Sequence, residues 1–395
     1  MSGQSYATAP AVGTSLGLQA LGTPTPVPRA STAVLHDIGR AAVASLYDEL
    51  ALWPKPGLVS FVDAGSHRDM DATTFMRSLF ALRHYFPKMA VAGAGGATGS
   101  AFQAFEVVEA IGIDAERRML RATGGVNTHR GAIFTLGLLC ASAGALRAQG
   151  RPAGPVAVRE TLRTLWGEAL RARRVGAVGE NGAKAAKGAN GSNGQRAAVR
   201  DGLRGARDEA ALAFPTVFEC AVPALAQARR QRLDDRHARV QALFHIIAVL
   251  DDTNLAHRGG LAGLRWAQAA ARGFLSAGGA ARPDALEHAA AIHRDFVARR
   301  LSPGGAADVL AAVCLLERIG ERADESSGAC TTACSGPCTT ERSGTCTTER
   351  SGACTTACSG PCTTERSCAC TTERTAERIS APITEHIPEL VGASR

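Results

Sequence analysis

Apolar residues in this chain recur at intervals of three and four, and the strict alternation of a half-buried strand is nearly absent. Apolar residues make up 45% of the sequence and aromatics only 5%, with Ala and Leu dominating the apolar set. Ala and Leu favour helices, whereas Val, Ile and the aromatics favour strands. The sequence therefore predicts an all-α fold, a multi-helix globular domain. Its first apolar stripe comprises Val34, Leu35, Ile38, Ala42, Leu46 and Leu50.

Capping and breaking residues set the predicted helix limits. Ser31 or Thr32 can cap the first helix, and the segment Trp53-Pro54-Lys55-Pro56-Gly57 must end it, because each proline restricts the residue before it. Asp71 can cap a second helix that runs to about Phe86. Further helices are predicted at 98–111, 114–122, 131–148, 156–173, 207–230, 235–251, 260–274, 282–300 and 304–320.

Composition divides the chain into segments. Residues 1–30 are rich in Pro, Thr, Ser and Ala and are predicted to form a flexible leader, and 31–320 is predicted to be the helical catalytic domain. Within it, 175–205 is rich in Gly, Asn and Lys, which favours a flexible insertion over a phosphate-binding Gly loop, since no strand precedes it. Residues 321–395 form a Cys/Thr-rich tail with six octapeptide repeats from Cys330. Such units cannot bury a core, so disorder is predicted, with zinc binding through the C-x3-C pairs as the alternative.

Net charge and cysteine usage indicate the kind of partner and the cellular compartment to expect. The formal net charge is +8, and the acids outnumber the bases after Glu321, so the body is basic and suits an anionic partner. Only three of the 12 cysteines lie in the body, where they are predicted to be buried thiols of a reduced compartment. We find no secretory signal and no run of ~18 apolar residues, which predicts a cytoplasmic protein without a membrane span. The body cysteines are Cys140, Cys220 and Cys314.

Two polar stretches in the first half of the chain are candidates for chemistry. The first combines Lys55-Pro56-Gly57 with 67–71, where an extended loop would aim His67, Asp69 and Asp71 at one point. Carboxylates beside a histidine suit a divalent cation or acid–base work, although Asp71 is equally explained as a helix N-cap. The second stretch is 124–131, in which Gly, Asn, Thr, His and Arg precede a helix whose N-terminus can bind an anion.

Two more polar stretches follow in the second half. Asp251 and Asp252 are predicted to end an apolar helix, where acids oppose the helix macrodipole, so their neutralisation should leave stability unchanged or slightly raised. The last stretch, 302–308, begins with a Ser N-cap and a Pro and then has two glycines that would expose backbone N–H groups to an anion. Together the four stretches predict a nucleotide or phosphate enzyme assisted by magnesium.

The order of these motifs resembles one family, the triphosphoribosyl-dephospho-CoA synthases. The resemblance rests on PKPGLV at 54–59, G-S-H-x-D-M-D at 65–71, G-V-N-T-H-R-G at 125–131, D-D-T-N-x-x-x-R-G-G at 251–260 and S-P-G-G-x-A-D at 302–308. It covers 31–320 without the insertion. Two departures occur: Arg130 stands where the family often has Lys, and Ala213 stands before Phe214-Pro215 where the family often has Gly.

The resemblance implies an all-α fold and one reaction, in which ATP and 3′-dephospho-CoA give 2′-(5″-triphosphoribosyl)-3′-dephospho-CoA and adenine. The product would be the prosthetic-group precursor of an acyl carrier subunit of citrate lyase or malonate decarboxylase, passed on by a downstream carrier-protein transferase. No nucleic acid or membrane partner is implied, and Mg²⁺ would accompany ATP. The catalytic candidates are His67, Asp69, Asp71, Asp251 and Asp252, and the four aspartates are also the metal candidates. The substrate and phosphate candidates are Lys55, Gly57, Asn127, Thr128, His129, Arg130, Asn254, Arg258, Gly259, Gly260, Gly304 and Gly305.

Two other functions compete with this interpretation. A magnesium-dependent ADP-ribose or nucleoside glycohydrolase would also be helical and rich in Asp, with water replacing the ribose hydroxyl. A nucleic-acid-binding protein would use the basic body, but aromatics are few and the sequence contains no basic helix or known binding motif.

Overall fold

The computed structural model describes residues 31–96, 101–178 and 193–327, and within these ranges the chain forms helices and no strand. The prediction of an all-α fold is therefore confirmed. We number the helices α1 (Thr32–Ala51), α2 (Ala72–Leu82), α3 (Tyr85–Gly96), α4 (Ala101–Ala122), α5 (Arg130–Ala148), α6 (Pro155–Val178), α7 (Asn193–Asp201), α8 (Ala206–Ala211), α9 (Val222–Arg230), α10 (Asp235–Val249), α11 (Thr253–Ser276), α12 (Ala285–Ala298) and α13 (Gly304–Ser327). A π-helical turn, Thr216–Ala221, leads into α9, and a 3-10 turn, Gly279–Ala281, precedes α12.

Helix α5 forms the centre of the fold, because most of its residues are buried. Small residues let α3 pack closely against it: a Cβ on Gly93 would collide with the Ala141 carbonyl oxygen, and a Cβ on Gly144 with that of Ala90. Contrary to the sequence analysis, α5 is long and apolar enough by composition to cross a membrane, with a mean hydropathy of 1.5. Its window is 78% buried inside the fold, as the core helix of a globular protein would be.

Several predicted helix limits are confirmed and others are wrong. Ser31 caps α1 by accepting from the N–H of Val34, and Asp71 caps α2 in a capping box with Thr74. The two helices predicted at 98–111 and 114–122 are one helix, α4, and the second predicted helix is divided into α2 and α3. The helix predicted at 207–230 is interrupted where Ala213 and Phe214 adopt positive φ angles of 56° and 49° before a proline, a conformation that no helix accommodates.

The largest correction concerns 251–260. Helix α10 ends at Val249, and the next helix starts at Thr253 rather than 260, with Asp252 as its N-cap. Gly260 has φ 63° and ψ −169°, a conformation accessible mainly to glycine, and kinks α11 at this point. The two acids therefore precede the positive end of a helix dipole, and the expected unfavourable position at a helix C-terminus is wrong.

Part of the predicted flexible insertion is also structured. Helix α7 packs against α11, and Ala197 and Leu203 lie in the core. The predicted limits 175–205 are therefore wrong at the C-terminal end, where the chain rejoins the core. The remainder, 179–192, lies outside the described residues, as do the predicted leader at 1–30 and the repeats of the tail. In the body, Cys140 and Cys314 are buried free thiols as predicted, whereas Cys220 is only partly buried.

Candidate active site

The PKPG turn is fastened to the segment before α13. Gly57 has φ 65°, and a Cβ there would collide with the carbonyl oxygen of Leu301, so only glycine fits. Ser66 donates from Oγ to the same Leu301 carbonyl at 2.6 Å. His293 of α12 hydrogen-bonds the Lys55 carbonyl oxygen through Nδ1 at 2.6 Å. The first motif is thus held in place by residues more than 200 positions later in the sequence.

His67 joins three of the five motifs. Its Nε2 lies 2.8 Å from Ser302 Oγ and its Nδ1 lies 2.9 Å from Arg258 Nη2. Because a guanidinium only donates, Nδ1 must accept, and a neutral His67 therefore carries its proton on Nε2 and donates to Ser302. Burial and the Arg258 charge lower the pKa of His67 to about 4. With both ring nitrogens engaged, His67 serves here as a connector that orients Arg258, which also donates to the Ser66 carbonyl at 3.0 Å.

Asp252 bridges the starts of two helices. Its Oδ1 accepts from the N–H groups of Asn254 at 2.9 Å and Leu255 at 3.3 Å, and its Oδ2 accepts from the N–H of Ala306 at 2.9 Å. Burial raises the pKa of Asp252 although these hydrogen bonds lower it. A Cβ on Gly305 would approach Oδ2 to 3.1 Å, so this glycine gives the carboxylate room to reach α13. The carboxylate of Asp252 is therefore the anion at the N-termini of both α11 and α13.

Asn254, in the first turn of α11, lies close to the start of α13. Its Nδ2 is 2.9 Å from the position that a Cβ on Gly304 would occupy. Gly259 faces Leu301 in the same way, with its Cβ position 2.6 Å from Leu301 Cδ2. Gly259, Gly260, Gly304 and Gly305 were all predicted to bind phosphate. The structure gives three of them a role in close packing and Gly260 a role in the α11 kink.

Asp308, one turn into α13, is a site residue that the sequence analysis did not assign. It is partly exposed, accepts from the backbone N–H of Ala132, and would collide with a Cβ on Gly131. This contact explains the glycine at the end of G-V-N-T-H-R-G. Burial, together with the negative charges of Asp252 and Glu49, raises the pKa of Asp308 well above its ordinary value. The signal available in the sequence was its position in the S-P-G-G-x-A-D motif.

Lys55 is buried and paired. Its Nζ lies 2.6 Å from both Oε1 and the carbonyl oxygen of Glu49, and its side chain is fully inaccessible to solvent. Burial lowers the pKa of Lys55, while the charge of Glu49 opposes this shift. An ammonium group with these partners does not reach a phosphate, so we assign Lys55 to the pair with Glu49 and not to phosphate binding. Glu49 could not be identified as a site residue from the sequence, because it lies among the apolar residues of α1.

The start of α5 presents three polar atoms without a partner. Thr128 Oγ1, His129 Nε2 and Arg130 Nε are buried and make no hydrogen bond. Buried polar groups are nearly always satisfied, so three successive exceptions at a helix N-terminus indicate a ligand site. His129 is 3% exposed, and its Nδ1 is 2.6 Å from Ser78 Oγ. Asn127 orders the same turn by accepting from the N–H of Arg130 at 3.2 Å.

The remaining predicted residues lie around this centre. Asp69 is exposed, with its Oδ1 3.7 Å from His67 Nδ1, and Asp71 is an exposed N-cap. Asp251 accepts from the N–H of Arg204 at 3.4 Å. Arg130 forms an ion pair with Glu116. In the described part of the chain, no group of three or more His, Cys, Asp or Glu side chains is arranged to hold a metal ion, so the four predicted aspartates form no common metal site.

Taken together, the five motifs meet around the first turns of α11 and α13 and the N-terminus of α5. This arrangement combines a guanidinium, the positive ends of helix dipoles, unpaired hydroxyl and imidazole atoms, and a partly exposed carboxyl. Such groups can hold an anionic substrate and move a proton beside it.

Comparison with known proteins bears on what this site serves. The family model described as ATP:dephospho-CoA triphosphoribosyl transferase (CitG) matches residues 35–327, a stretch that contains every motif described above. No solved structure matches the chain.

Proposed function

Because the chain belongs to the ATP:dephospho-CoA triphosphoribosyl transferase family, we propose that it joins C1 of the ATP ribose to the 2′-hydroxyl of 3′-dephospho-CoA and releases adenine. The family establishes a transferase that acts on ATP and dephospho-CoA. The acceptor hydroxyl and the fate of adenine are our proposal. The observation that carries it is the convergence of five distant motifs on a site with anion-binding and proton-carrying groups.

The chemistry sets requirements that can be compared with the site. The triphosphate is kept in the product, so it is a handle for binding, while the C1–N9 bond breaks and a C1–O bond forms. By analogy with glycoside hydrolysis, the transition state has oxocarbenium character at C1. Groups are therefore needed to bind phosphate at a distance from C1, to accept the hydroxyl proton and to assist adenine departure.

We assign the phosphates to Arg258 and to the α5 N-terminus. Arg258 is held by hydrogen bonds to His67 Nδ1 and to the Ser66 carbonyl oxygen, both neutral acceptors that leave its positive charge in place. At the α5 N-terminus, Thr128 Oγ1 and Arg130 Nε are buried without a hydrogen-bond partner, and the positive end of the helix dipole favours an anion beside them. Asn127 and Asn254, at the starts of α5 and α11, remain our candidates for orienting sugar or base.

We propose that Mg²⁺ enters with ATP. Magnesium is commonly bound by one or two carboxylates together with substrate phosphates, so it does not require a site built from protein ligands alone. Asp69 is the exposed carboxylate beside Arg258 and fits such a role, whereas Asp252 is occupied by backbone N–H groups. When bound, the ion would neutralise phosphate charge.

The product would supply the prosthetic group of an acyl carrier protein through a downstream transferase, and we place both steps in the cytoplasm. Whether citrate lyase or malonate decarboxylase is served depends on the carrier. Offering each apo-carrier protein with the downstream transferase, and measuring the mass increase of the carrier, tests this part of the proposal.

The test of the reaction is incubation of the full chain with ATP and dephospho-CoA, followed by chromatography with mass detection. We expect adenine and a dephospho-CoA derivative enlarged by the triphosphoribosyl group, in equal amounts. A 2′-deoxy acceptor should give no product. Adenine release without any acceptor would instead indicate the glycohydrolase, and release of ADP or pyrophosphate would overturn the proposal.

The matched variants are Arg258→Gln, which removes the phosphate-facing charge, and Arg299→Gln, which removes an exposed charge at the C-cap of α12. We expect Arg258→Gln to raise the KM for ATP by at least about tenfold and Arg299→Gln to leave it unchanged. Equal behaviour of the two variants would remove Arg258 from the site.

A further inference from the structure

Adenine is a poor leaving group when it departs as an anion. Breaking the C1–N9 bond sends its electron pair to the base, and a proton delivered to a ring nitrogen makes that departure easier. A carboxylic acid that stays protonated near neutral pH is suited to this task, as in other enzymes where an apolar site or neighbouring charges keep a carboxyl neutral. The site contains three carboxyls that are candidates: Glu49, Asp252 and Asp308.

Only one of the three is free to meet a substrate. Glu49 is 4% exposed and holds the Lys55 ammonium at 2.6 Å. Asp252 is 2% exposed, and both of its oxygens accept backbone N–H groups. Asp308 is partly exposed, and its described partner is a single backbone N–H, that of Ala132.

The groups facing Asp308 favour its protonated form. Asp252 approaches from the start of α11 and Glu49 from α1, and their negative charges add to burial in raising the pKa of Asp308. The N–H of Ala132 at the start of α5 acts in the opposite direction. Lys55 pairs with Glu49, its Nζ 2.6 Å from Oε1.

A second observation at the same helix start points to a ligand. His129, the N-cap of α5, is 3% exposed and has an unpartnered Nε2. Burial and the Lys55 charge lower its pKa to about 3, so its ring is neutral and is suited to a hydrogen bond with a neutral ligand atom. The carboxyl of Asp308 lies against Gly131 and Ala132 in the first turn of the same helix.

We propose that Asp308 is the general acid that protonates adenine as it leaves the ATP ribose. The ribose hydroxyl oxygen of dephospho-CoA forms a bond to C1, the C1–N9 bond breaks with its electron pair going to adenine, and the Asp308 proton passes to an adenine ring nitrogen. The hydroxyl proton is released to solvent, and Asp308 regains a proton from solvent. The inference rests on the proposed function and adds a residue to it.

The experiment compares two donors that differ only in the leaving group. ATP loses adenine, which needs a proton, whereas the triphosphate of nicotinamide riboside loses neutral nicotinamide from a cationic ring and needs none. Asp308→Asn keeps the shape of the side chain but carries no acidic proton. We expect this variant to lower kcat with ATP by about 100-fold or more, the usual scale for a lost general acid. With the nicotinamide donor we expect a loss of less than about fivefold.

Asp295→Asn, an exposed aspartate on α12 that is paired with Arg299, is the matched control and should be unchanged with both donors. Thermal unfolding of Asp308→Asn confirms that the variant is folded. Equal losses with the two donors would overturn the proposal, as would near-wild-type activity with ATP. A wild-type chain that releases no adenine from ATP and dephospho-CoA would overturn the proposed function instead, and the two failures are thereby distinguished.

Discussion

The Asp252 carboxylate lies 2.9 Å from the backbone nitrogen of Ala306, and this hydrogen bond ties the first turn of α11 to the first turn of α13. The same carboxylate caps α11 through Asn254 and Leu255. We therefore expect Asp252→Asn to lower stability, although the sequence alone predicts no loss. An amide can still cap α11, but its NH₂ group then faces the N–H of Ala306 and leaves a buried donor unsatisfied. The cost is about 1–3 kcal/mol in the free energy of unfolding, measured by urea denaturation.

Asp251→Asn is the matched variant for this prediction. Its carboxylate is partly exposed and accepts one long hydrogen bond, from the N–H of Arg204 at 3.4 Å. We expect its free energy of unfolding to stay within about 0.5 kcal/mol of the wild type. Similar unfolding midpoints for the two variants would show that the bridge to Ala306 contributes nothing.

Residue types in the site could be predicted from the sequence, but their partners could not. The five motifs are visible as polar stretches between apolar helices, and the structure places them in contact. Their geometry depends on where α11 begins, which the sequence analysis placed at 260 because Asp252 was interpreted as the end of one helix rather than the cap of the next. Glu49 was missed since a charge inside an apolar stripe gains meaning only once Lys55 is placed against it.

The pairing of Lys55 with Glu49 changes the expected effect of a substitution at Lys55. We expect Lys55→Ala to lower stability by about 3–5 kcal/mol, because it leaves the Glu49 carboxylate buried without its counter-charge. The double variant Glu49→Gln with Lys55→Met removes both charges and should recover most of the loss. Urea denaturation measures both variants, and Lys88→Ala, an exposed lysine on α3, is the control.

A different result for Lys55 would restore its sequence-based role. If Lys55→Ala folds with wild-type stability and raises only the KM for ATP, then the ammonium contacts the triphosphate and the Glu49 pair is incidental. We expect the opposite order, in which the loss of stability exceeds any effect on ATP.

His129 gives the folded state a defined pH dependence. Its pKa is lowered from the ordinary 6.5 to about 3 by burial and by the Lys55 charge. At a pH between these two pKa values, His129 is protonated in the unfolded chain and neutral in the folded chain. The free energy of unfolding therefore falls as the pH falls from 6.5 towards 3. One such group contributes a slope of up to about 1.4 kcal/mol per pH unit.

Urea unfolding of the wild type and of His129→Asn at pH 7 and pH 4.5 measures this contribution. We expect the variant to lose less stability than the wild type on acidification, even if it is less stable at pH 7. His67, whose pKa is lowered to about 4, contributes to the pH dependence of stability in both proteins. An identical slope in the two proteins would mean that His129 is protonated as readily in the folded state as in the unfolded chain.

Ala213 lies in a left-handed turn, a backbone conformation that glycine adopts at lower cost than alanine. Its φ is 56°, in the left-handed region that costs a residue with a Cβ about 1–2 kcal/mol and costs glycine little. Replacing alanine with glycine removes this cost, but part of the stabilisation is lost because glycine has more conformational freedom to lose on folding. We therefore expect Ala213→Gly to raise the free energy of unfolding by about 0.5–1 kcal/mol. Ala210→Gly, in the regular turn of α8 just before it, should lower it by about 1 kcal/mol. Because the two residues are equally small and both buried, loss of stability in both variants would show that the left-handed turn at Ala213 is not strained.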